Sequence, residues 1–340
     1  MKVAFFDAKP YDIESFNKVN ERYKCDITYF ESRLKNNNVA LTKGFDVVCI
    51  FVNDIIDKTI IDSLVANGVK LIALRCAGYN NIDFKSINDQ IKVVRVPSYS
   101  PYSIAEHTVA LILSLNRKIH RAYLRTKEAN FSLNGLLGFD LFGKTAGIIG
   151  TGRIAKIVIN ILRGFGMKVI AYDLYRDEKA AKDMGFEYVA LDTLCANSDI
   201  ISLHCPLTAE TEYMINRESI GKMKDGVMIV NTGRGKLIET TALINGLKSK
   251  KIGMAALDVY EEEADYFFED YSDKILNDDI LARLLTFNNV LVTSHQAFFT
   301  EEALGDIAEI TLKNIRDFER GRELENEVKY ICDEKGCSWR

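Results

Sequence analysis

The sequence predicts an α/β protein of two domains, each with its own parallel sheet and with a cleft between them. Three observations carry this. Short apolar runs alternate with amphipathic stretches along the chain. The runs fall into two series separated by a long helical stretch. And 340 residues are too many for one ordinary core.

The first series comprises residues 2–7, 26–30, 46–52, 70–75 and 92–96, with helical stretches between them, such as 58–67 with Ile60, Ile61, Leu64 and Val65 on one face. Continuous apolar, β-branched runs suit strands covered on both faces, and strand–helix alternation implies right-handed crossovers. The second series, 145–150, 168–173, 199–204, 226–231, 253–258 and 289–294, supplies six strands, the number of a full dinucleotide-binding sheet. Between the series, residues 103–129 keep a helical period through Ile104, Val109, Leu111, Ile112, Leu115 and Ile119. One helix of that length spans roughly 40 Å, enough to cross between domains. A further helix over 301–320 is expected to pack back on the first domain. The boundaries are then 1–100 plus 299–331 for one domain and 101–298 for the other, with two chain crossings.

Composition excludes several classes. A net charge of −4 advertises neither nucleic acid nor an anionic membrane as partner. No apolar run approaches the roughly 18 residues of a membrane helix, and the opening residues read as a strand, not a signal peptide. Seven cysteines, Cys25, Cys49, Cys76, Cys195, Cys205, Cys332 and Cys337, are scattered and odd in number. They read as reduced thiols of a cytoplasmic protein. Cys332 and Cys337 lack the further ligands a zinc site needs, so no metal is expected and the last residues read as a frayed tail.

Gly150-Thr151-Gly152-Arg153-Ile154-Ala155 follows a predicted strand and opens an amphipathic helix. Gly150 permits the tight turn, Gly152 lets backbone approach a pyrophosphate at the helix N-terminus, and Ala155 allows close helix–strand contact. The next strand ends in Asp173, 21 residues after Gly152, where an acid receives ribose hydroxyls. A carboxylate there repels a 2′-phosphate, so the cofactor is read as NAD and not NADP. Arg153 lies beside the phosphates in this reading. The plain alternative is an α/β turn whose strand-end Asp caps a helix.

Charged residues follow three later strands. Arg234 comes after Asn231-Thr232-Gly233, Asp258 and Glu263 lie in Asp258-Val259-Tyr260-Glu261-Glu262-Glu263, and His295 follows Thr293-Ser294. The ligand crevice of a parallel sheet lies beyond its carboxyl ends. Reducing a 2-keto acid needs a cation to hold the carboxylate and polarise the carbonyl, which an Arg fork does with paired hydrogen bonds. It also needs an acid for the developing alkoxide, usually histidine, and a carboxylate beside it fixes the tautomer. Singly, each residue reads as readily as a surface Arg, a capped His or a solvated acidic turn. His107, His120 and His204 are weaker candidates, though His107 is placed to approach the cleft.

Together these segments resemble the D-isomer-specific 2-hydroxyacid dehydrogenase family. Its motifs match at Gly150–Ala155, Leu203-His204-Cys205-Pro206-Leu207-Thr208, Met228-Ile229-Val230-Asn231-Thr232-Gly233-Arg234-Gly235, the Asp258 to Glu263 run, and Ser294-His295-Gln296-Ala297-Phe298. The resemblance implies two Rossmann-like or flavodoxin-like domains. It implies Arg234 on the substrate carboxylate and carbonyl, His295 as acid/base, Glu263 as its partner, and Glu261 peripheral. Asp258 would contact the nicotinamide side. Cys205, Pro206, Thr211, Thr232 and Gly233, with Gly150, Gly152, Arg153, Ile154 and Asp173, would line the NAD site. Arg75-Cys76-Ala77-Gly78 resembles the loop whose amides hold the substrate carboxylate, and Tyr99 and Phe298 would close the pocket. Val96-Pro97-Ser98-Tyr99-Ser100-Pro101 and Phe267-Phe268-Glu269-Asp270 are most similar to the fermentative D-lactate dehydrogenases. That resemblance implies pyruvate as the small-molecule substrate and at least a homodimer. The alternatives are a larger 2-keto acid such as 2-ketoisocaproate or phenylpyruvate, 3-phosphohydroxypyruvate, or a non-catalytic NAD(H)-sensing protein. A two-lobed sugar or amino-acid binding protein would lack Gly150–Ala155 and Asp173.

Overall fold

The computed structural model describes residues 1–87, 90–263, 266–333 and 336–339, with side chains described as far as 329. The chain divides into two compact units, Met1–Ser100 with Phe299–Arg340, and Pro101–Phe298.

The first unit opens with β1 (Lys2–Phe5), α1 (Pro10–Tyr23), β2 (Asp26–Tyr29), β3 (Val47–Ile50), α2 (Lys58–Ala66), β4 (Leu71–Leu74) and β5 (Lys92–Val94). The strands form one parallel sheet in the order β2-β1-β3-β4-β5, the flavodoxin-like order. All four residues of β3 and of β4 are buried, because helices cover both faces.

The second unit begins with α3 (Pro101–Arg117) and α4 (Ile119–Lys127). The expected single helix over 103–129 is broken. Lys118 adopts a left-handed conformation (φ 52°) that ends one helix and starts the next. α3 is part of the second unit. Its Val109, Ile112 and Leu115 belong to the core of the second unit, together with Val158 and Leu162 of α5 (Arg153–Gly164). No residue of α4 is buried.

The remaining elements are β6 (Thr145–Ile149), β7 (Lys168–Tyr172), α6 (Glu178–Met184), β8 (Glu187–Tyr188), α7 (Leu191–Asn197), β9 (Ile200–Leu203), α8 (Arg217–Lys222), β10 (Val227–Asn231), α9 (Thr240–Lys248), β11 (Ile252–Leu257), α10 (Asp279–Leu285) and β12 (Val290–Val292). They build a seven-stranded parallel sheet, β12-β11-β10-β9-β6-β7-β8. The six runs read from the sequence lack β8, which at two residues carries no periodicity. β8 through β11 complete the dinucleotide-binding order, and β12 is an addition beyond it. α3 and α5 cover one face of the sheet, while α7, α8 and α9 cover the other.

The chain then returns to the first unit as α11 (Glu301–Glu319), whose Thr300 cap accepts a hydrogen bond from the Ala303 amide. β13 (Tyr330–Asp333) and β14 (Gly336–Trp339) form an antiparallel hairpin with Cys332 opposite Cys337, so this stretch is a paired ribbon and not frayed. The two thiols lie outside the described side chains. Among the described residues no helix is long and apolar enough to cross a membrane.

Candidate active site

The glycine turn sits where β6 and β9 diverge, the point at which the sheet's connections reverse direction. Gly150 has φ +88°, and a Cβ there would lie 2.6 Å from the Cys205 amide nitrogen and 2.7 Å from the His204 carbonyl carbon. Only glycine fits on both counts. A Cβ on Gly152 would meet open space. No side chain caps α5, whose first amides lack intrahelical acceptors. A cavity of about 660 Å³ opens beside this turn, lined by Gly150, Gly152 and Lys156, by Tyr172 to Tyr175 after β7, and by His204, Cys205, Pro206 and Thr211 after β9. An open helix N-terminus, a glycine with room above it and a strand-end carboxylate fit a dinucleotide: helix amides for the pyrophosphate, Asp173 for a ribose.

Asp173 is held firmly. Its Oδ2 accepts from the Thr151 amide (2.6 Å) and hydroxyl (2.9 Å), and its Oδ1 from the Tyr175 amide (2.9 Å). Burial pushes this carboxyl upward, but those hydrogen bonds outweigh it and leave the pKa below the usual value. Burial alone drives the His204 imidazole down to about 4, and its Nε2 lies 2.9 Å from Ser202 Oγ. The Cys205 thiol is pushed up to about 11 by burial, so it lines the cavity as an un-ionised group.

The second cluster lies past β10, β11 and β12. These strands are neighbours in register, with Asn231 opposite Leu257 and Leu257 opposite Val292, so their carboxyl ends are level. His295 Nδ1 lies 2.9 Å from Glu263 Oε1, and Glu263 Oε2 accepts from the Tyr260 amide at 3.0 Å. Both side chains keep about a fifth of their surface exposed (20% and 22%). His295 has φ +53°, a strained conformation for a non-glycine residue. The strain is held by the His295 amide donating to the Asp258 carbonyl (2.7 Å). It is held also by the Asp258 carboxylate, which accepts from Thr293 Oγ1 (2.6 Å) and from the Gln296 and Ala297 amides (2.9 Å each). Phe268 lies beside the imidazole, with ring centroids 5.9 Å apart.

Arg234 is half-buried, and its Nη1 donates to the Gly233 carbonyl at 2.8 Å. Among the described residues no carboxylate pairs with it. The turn that carries it is pressed onto the β11 loop: a Cβ on Gly235 would sit 2.0 Å from the Tyr260 carbonyl oxygen. Glycine at 235 thus ties the arginine's loop to the glutamate's.

Several sequence-predicted residues do not line the cavity beside the glycine turn. Asp258 is fully buried and its carboxylate faces inward, onto Thr293, the His295 loop and His107 Nε2 (3.4 Å). Burial pushes its pKa up, but the hydrogen bonds from His107, Thr293 and Ala297 bring it below the usual value. Thr232 is buried with its hydroxyl 2.9 Å from Thr108 Oγ1. Arg153 is exposed and Ile154 half-buried in the first turn of α5. Neither lines the cavity, nor do Thr232, Gly233 and Asp258.

Arg75 is a correction. It is 2% exposed, and its amide donates to the Ile50 carbonyl within the first unit's sheet. Its guanidinium lies 4.4 Å over the Phe5 ring and 4.9 Å over Phe51, 3.6 Å from Asp12, and donates to the Asp7 carbonyl. A cation so enclosed serves the fold. Cys76 is buried, Ala77, Gly78 and Tyr99 are half-buried, and Phe298 is 8% exposed. Thr293, Tyr260 and Thr151 also contact the predicted residues Asp258, Glu263 and Asp173, and Tyr188 contacts Thr151, with no signal in the sequence. Thr and Tyr are too common for their types to signal a role, and only contact reveals them.

The model of the D-isomer-specific 2-hydroxyacid dehydrogenase NAD-binding domain matches residues 109–297. The chain belongs to the D-isomer-specific 2-hydroxyacid dehydrogenases. It is 51% identical to a 2-hydroxyacid dehydrogenase homolog of Haemophilus influenzae over 96% of this chain and 99% of the relative. It is 48% identical to the D-lactate dehydrogenase of Escherichia coli over 96% of this chain and the whole of that protein. The solved apo-structure of Escherichia coli D-lactate dehydrogenase superposes with a TM-score of 0.89 at 46% identity, over 96% of this chain and 99% of that one. This family member is therefore a two-domain oxidoreductase of D-2-hydroxy acids, and its cofactor is NAD.

Proposed function

We propose that the dehydrogenase reduces pyruvate to D-lactate with NADH, reversibly. The observation that carries the chemistry is the 2.9 Å contact between His295 and Glu263, at strand ends beside that of an arginine with no carboxylate partner among the described residues. The choice of substrate is supported by the 48% identity to a D-lactate dehydrogenase across almost the entire chain.

Bound NADH supplies the hydride. The Arg234 guanidinium receives the substrate carboxylate and draws charge from the keto oxygen. A carboxylate can only accept, so Glu263 requires the proton on His295 Nδ1; the second imidazole proton then sits at Nε2 and passes to the forming alkoxide. Glu263 also stabilises the imidazolium, while the Tyr260 amide keeps the carboxylate aimed. The Cys76, Ala77 and Gly78 backbone, Tyr99 and Phe298 are proposed as substrate contacts on the family resemblance.

α4 and the segment after it expose Tyr123, Leu124, Phe131, Leu133, Leu137 and Phe142, four of these by more than three quarters (76–88%). So much apolar surface on a helix with no buried residue and on the segment after it supports a homodimer through the second unit. A cytoplasmic location is proposed because no disulfide joins the described cysteines.

The test is loss of NADH absorbance with pyruvate, followed by chiral analysis of the product. D-lactate is expected. Turnover confined to 2-ketoisocaproate or phenylpyruvate would overturn the substrate, and L-lactate would overturn the stereochemistry.

A further inference from the structure

The residue between the two fingerprint glycines and the short edge strand β8 have no part in the chemistry above, yet they meet. Thr151 Oγ1 lies 2.9 Å from Asp173 Oδ2 and 2.8 Å from the Tyr188 hydroxyl, which in turn accepts from the Asp177 amide at 3.1 Å. The direction of every proton follows. An ionised carboxylate only accepts, so the one hydroxyl proton of Thr151 goes to Asp173. The Tyr188 proton is then the one shared with Thr151. The result is a one-way chain: Asp177 N–H to Tyr188 O–H to Thr151 O–H to the Asp173 carboxylate. Such chains polarise each bond in the same sense. The Tyr188 ring is itself fixed, edge-on to Phe186 at 5.2 Å and with the Arg176 guanidinium 5.7 Å from its centroid. β8 holds it in register, pairing Tyr188 with Ala171 of β7, two residues before Asp173.

We propose that Thr151 and Tyr188 are positioning residues that set cofactor specificity: they fix the Asp173 carboxylate where it receives a ribose diol and rejects a 2′-phosphate. A carboxylate held from one side by the Thr151 amide and hydroxyl cannot swing out of the way of a phosphate. Both Thr151 bonds fall on Oδ2, so Oδ1, which accepts from the Tyr175 amide, is the oxygen left to meet a ribose hydroxyl, with little ordering left to do on binding. The inference needs NAD as cofactor but not pyruvate as substrate.

The test measures the dissociation constants of NADH and NADPH for the full-length wild type and for Tyr188→Phe, Thr151→Val and Thr151→Ser. Removal of the tyrosine hydroxyl should weaken NADH about 3- to 10-fold, the worth of one hydrogen bond in the chain. Thr151→Val should weaken it about 10-fold or more, and Thr151→Ser, which keeps the hydroxyl, should stay within about 3-fold of wild type. NADPH binding should hold or improve, so the NADPH-to-NADH ratio of dissociation constants falls in step. A ratio unaltered in Tyr188→Phe overturns the proposal, whether both cofactors bind normally or both weaken equally. Thermal melting of the apo proteins identifies a misfolded Thr151→Val; Tyr188→Phe loses one oxygen at a half-buried edge and decides the matter by itself.

Discussion

Arg75 and Arg234 each follow a strand of a parallel sheet, and similar sequence surroundings hide opposite roles. Arg75 comes directly after β4, and its guanidinium is enclosed by Phe5, Phe51, Asp12 and the Asp7 carbonyl. Burial also pushes Asp12 and Asp54 above the usual carboxylate range, so the cluster carries acids that rely on this cation. Arg234 comes three residues after β10, half-buried, bonded to a neighbouring carbonyl and to no described carboxylate. A cation packed between two rings beside a buried acid has its charge met within the fold. A cation left without an acid keeps its charge for one.

The contrast breaks if either arginine behaves like the other. Arg75→Ala should cost about 3–5 kcal/mol of stability, since it strands buried carboxylates; urea unfolding measures it, and an unchanged midpoint would mean that the acids need no cation. Arg234→Gln should leave the unfolding midpoint in place while kcat/KM for the keto acid drops about 10²- to 10³-fold and NADH affinity holds. A fall in stability instead would make it a second structural arginine. His295→Gln should lower kcat at least about 10²-fold with the fold intact; near-normal turnover would remove the imidazole from the reaction.

His204 extends the comparison to a histidine that burial removes from chemistry. Its folded value of about 4 lies below the ordinary 6.5, so the unfolded chain binds the proton more readily. Its contribution is complete above about pH 6.5 and is lost as pH falls toward 4. Between pH 7 and pH 5 the wild type should lose about 2 kcal/mol more stability than His204→Gln. Parallel pH slopes for the two proteins would show that His204 is solvated.

Much of this was legible beforehand because parallel strands buried on both faces need unbroken apolar runs. The runs at 46–52, 70–75 and 226–231 announce β3, β4 and β10 for that reason. The glycine turn was legible because backbone sterics at Gly150 admit no other residue. β8 was not legible: two residues have no period, and nothing in a tyrosine's type announces where its hydroxyl bonds. Nor was the break at Lys118, since Lys is a good helix former and nothing in its type signals a left-handed conformation.

The sequence by itself determined the α/β alternation, the dinucleotide turn with its acid, and the order Arg234, Glu263, His295 along three strand ends, because these follow from local sterics and periodicity. Only the tertiary structure decided which charges are spent. Asp258 and Arg75 are consumed inside the protein, and Asp173 is aimed by a hydroxyl chain from an edge strand. Charge availability depends on what lies within a few ångströms in space, and neighbours in space are not neighbours in sequence.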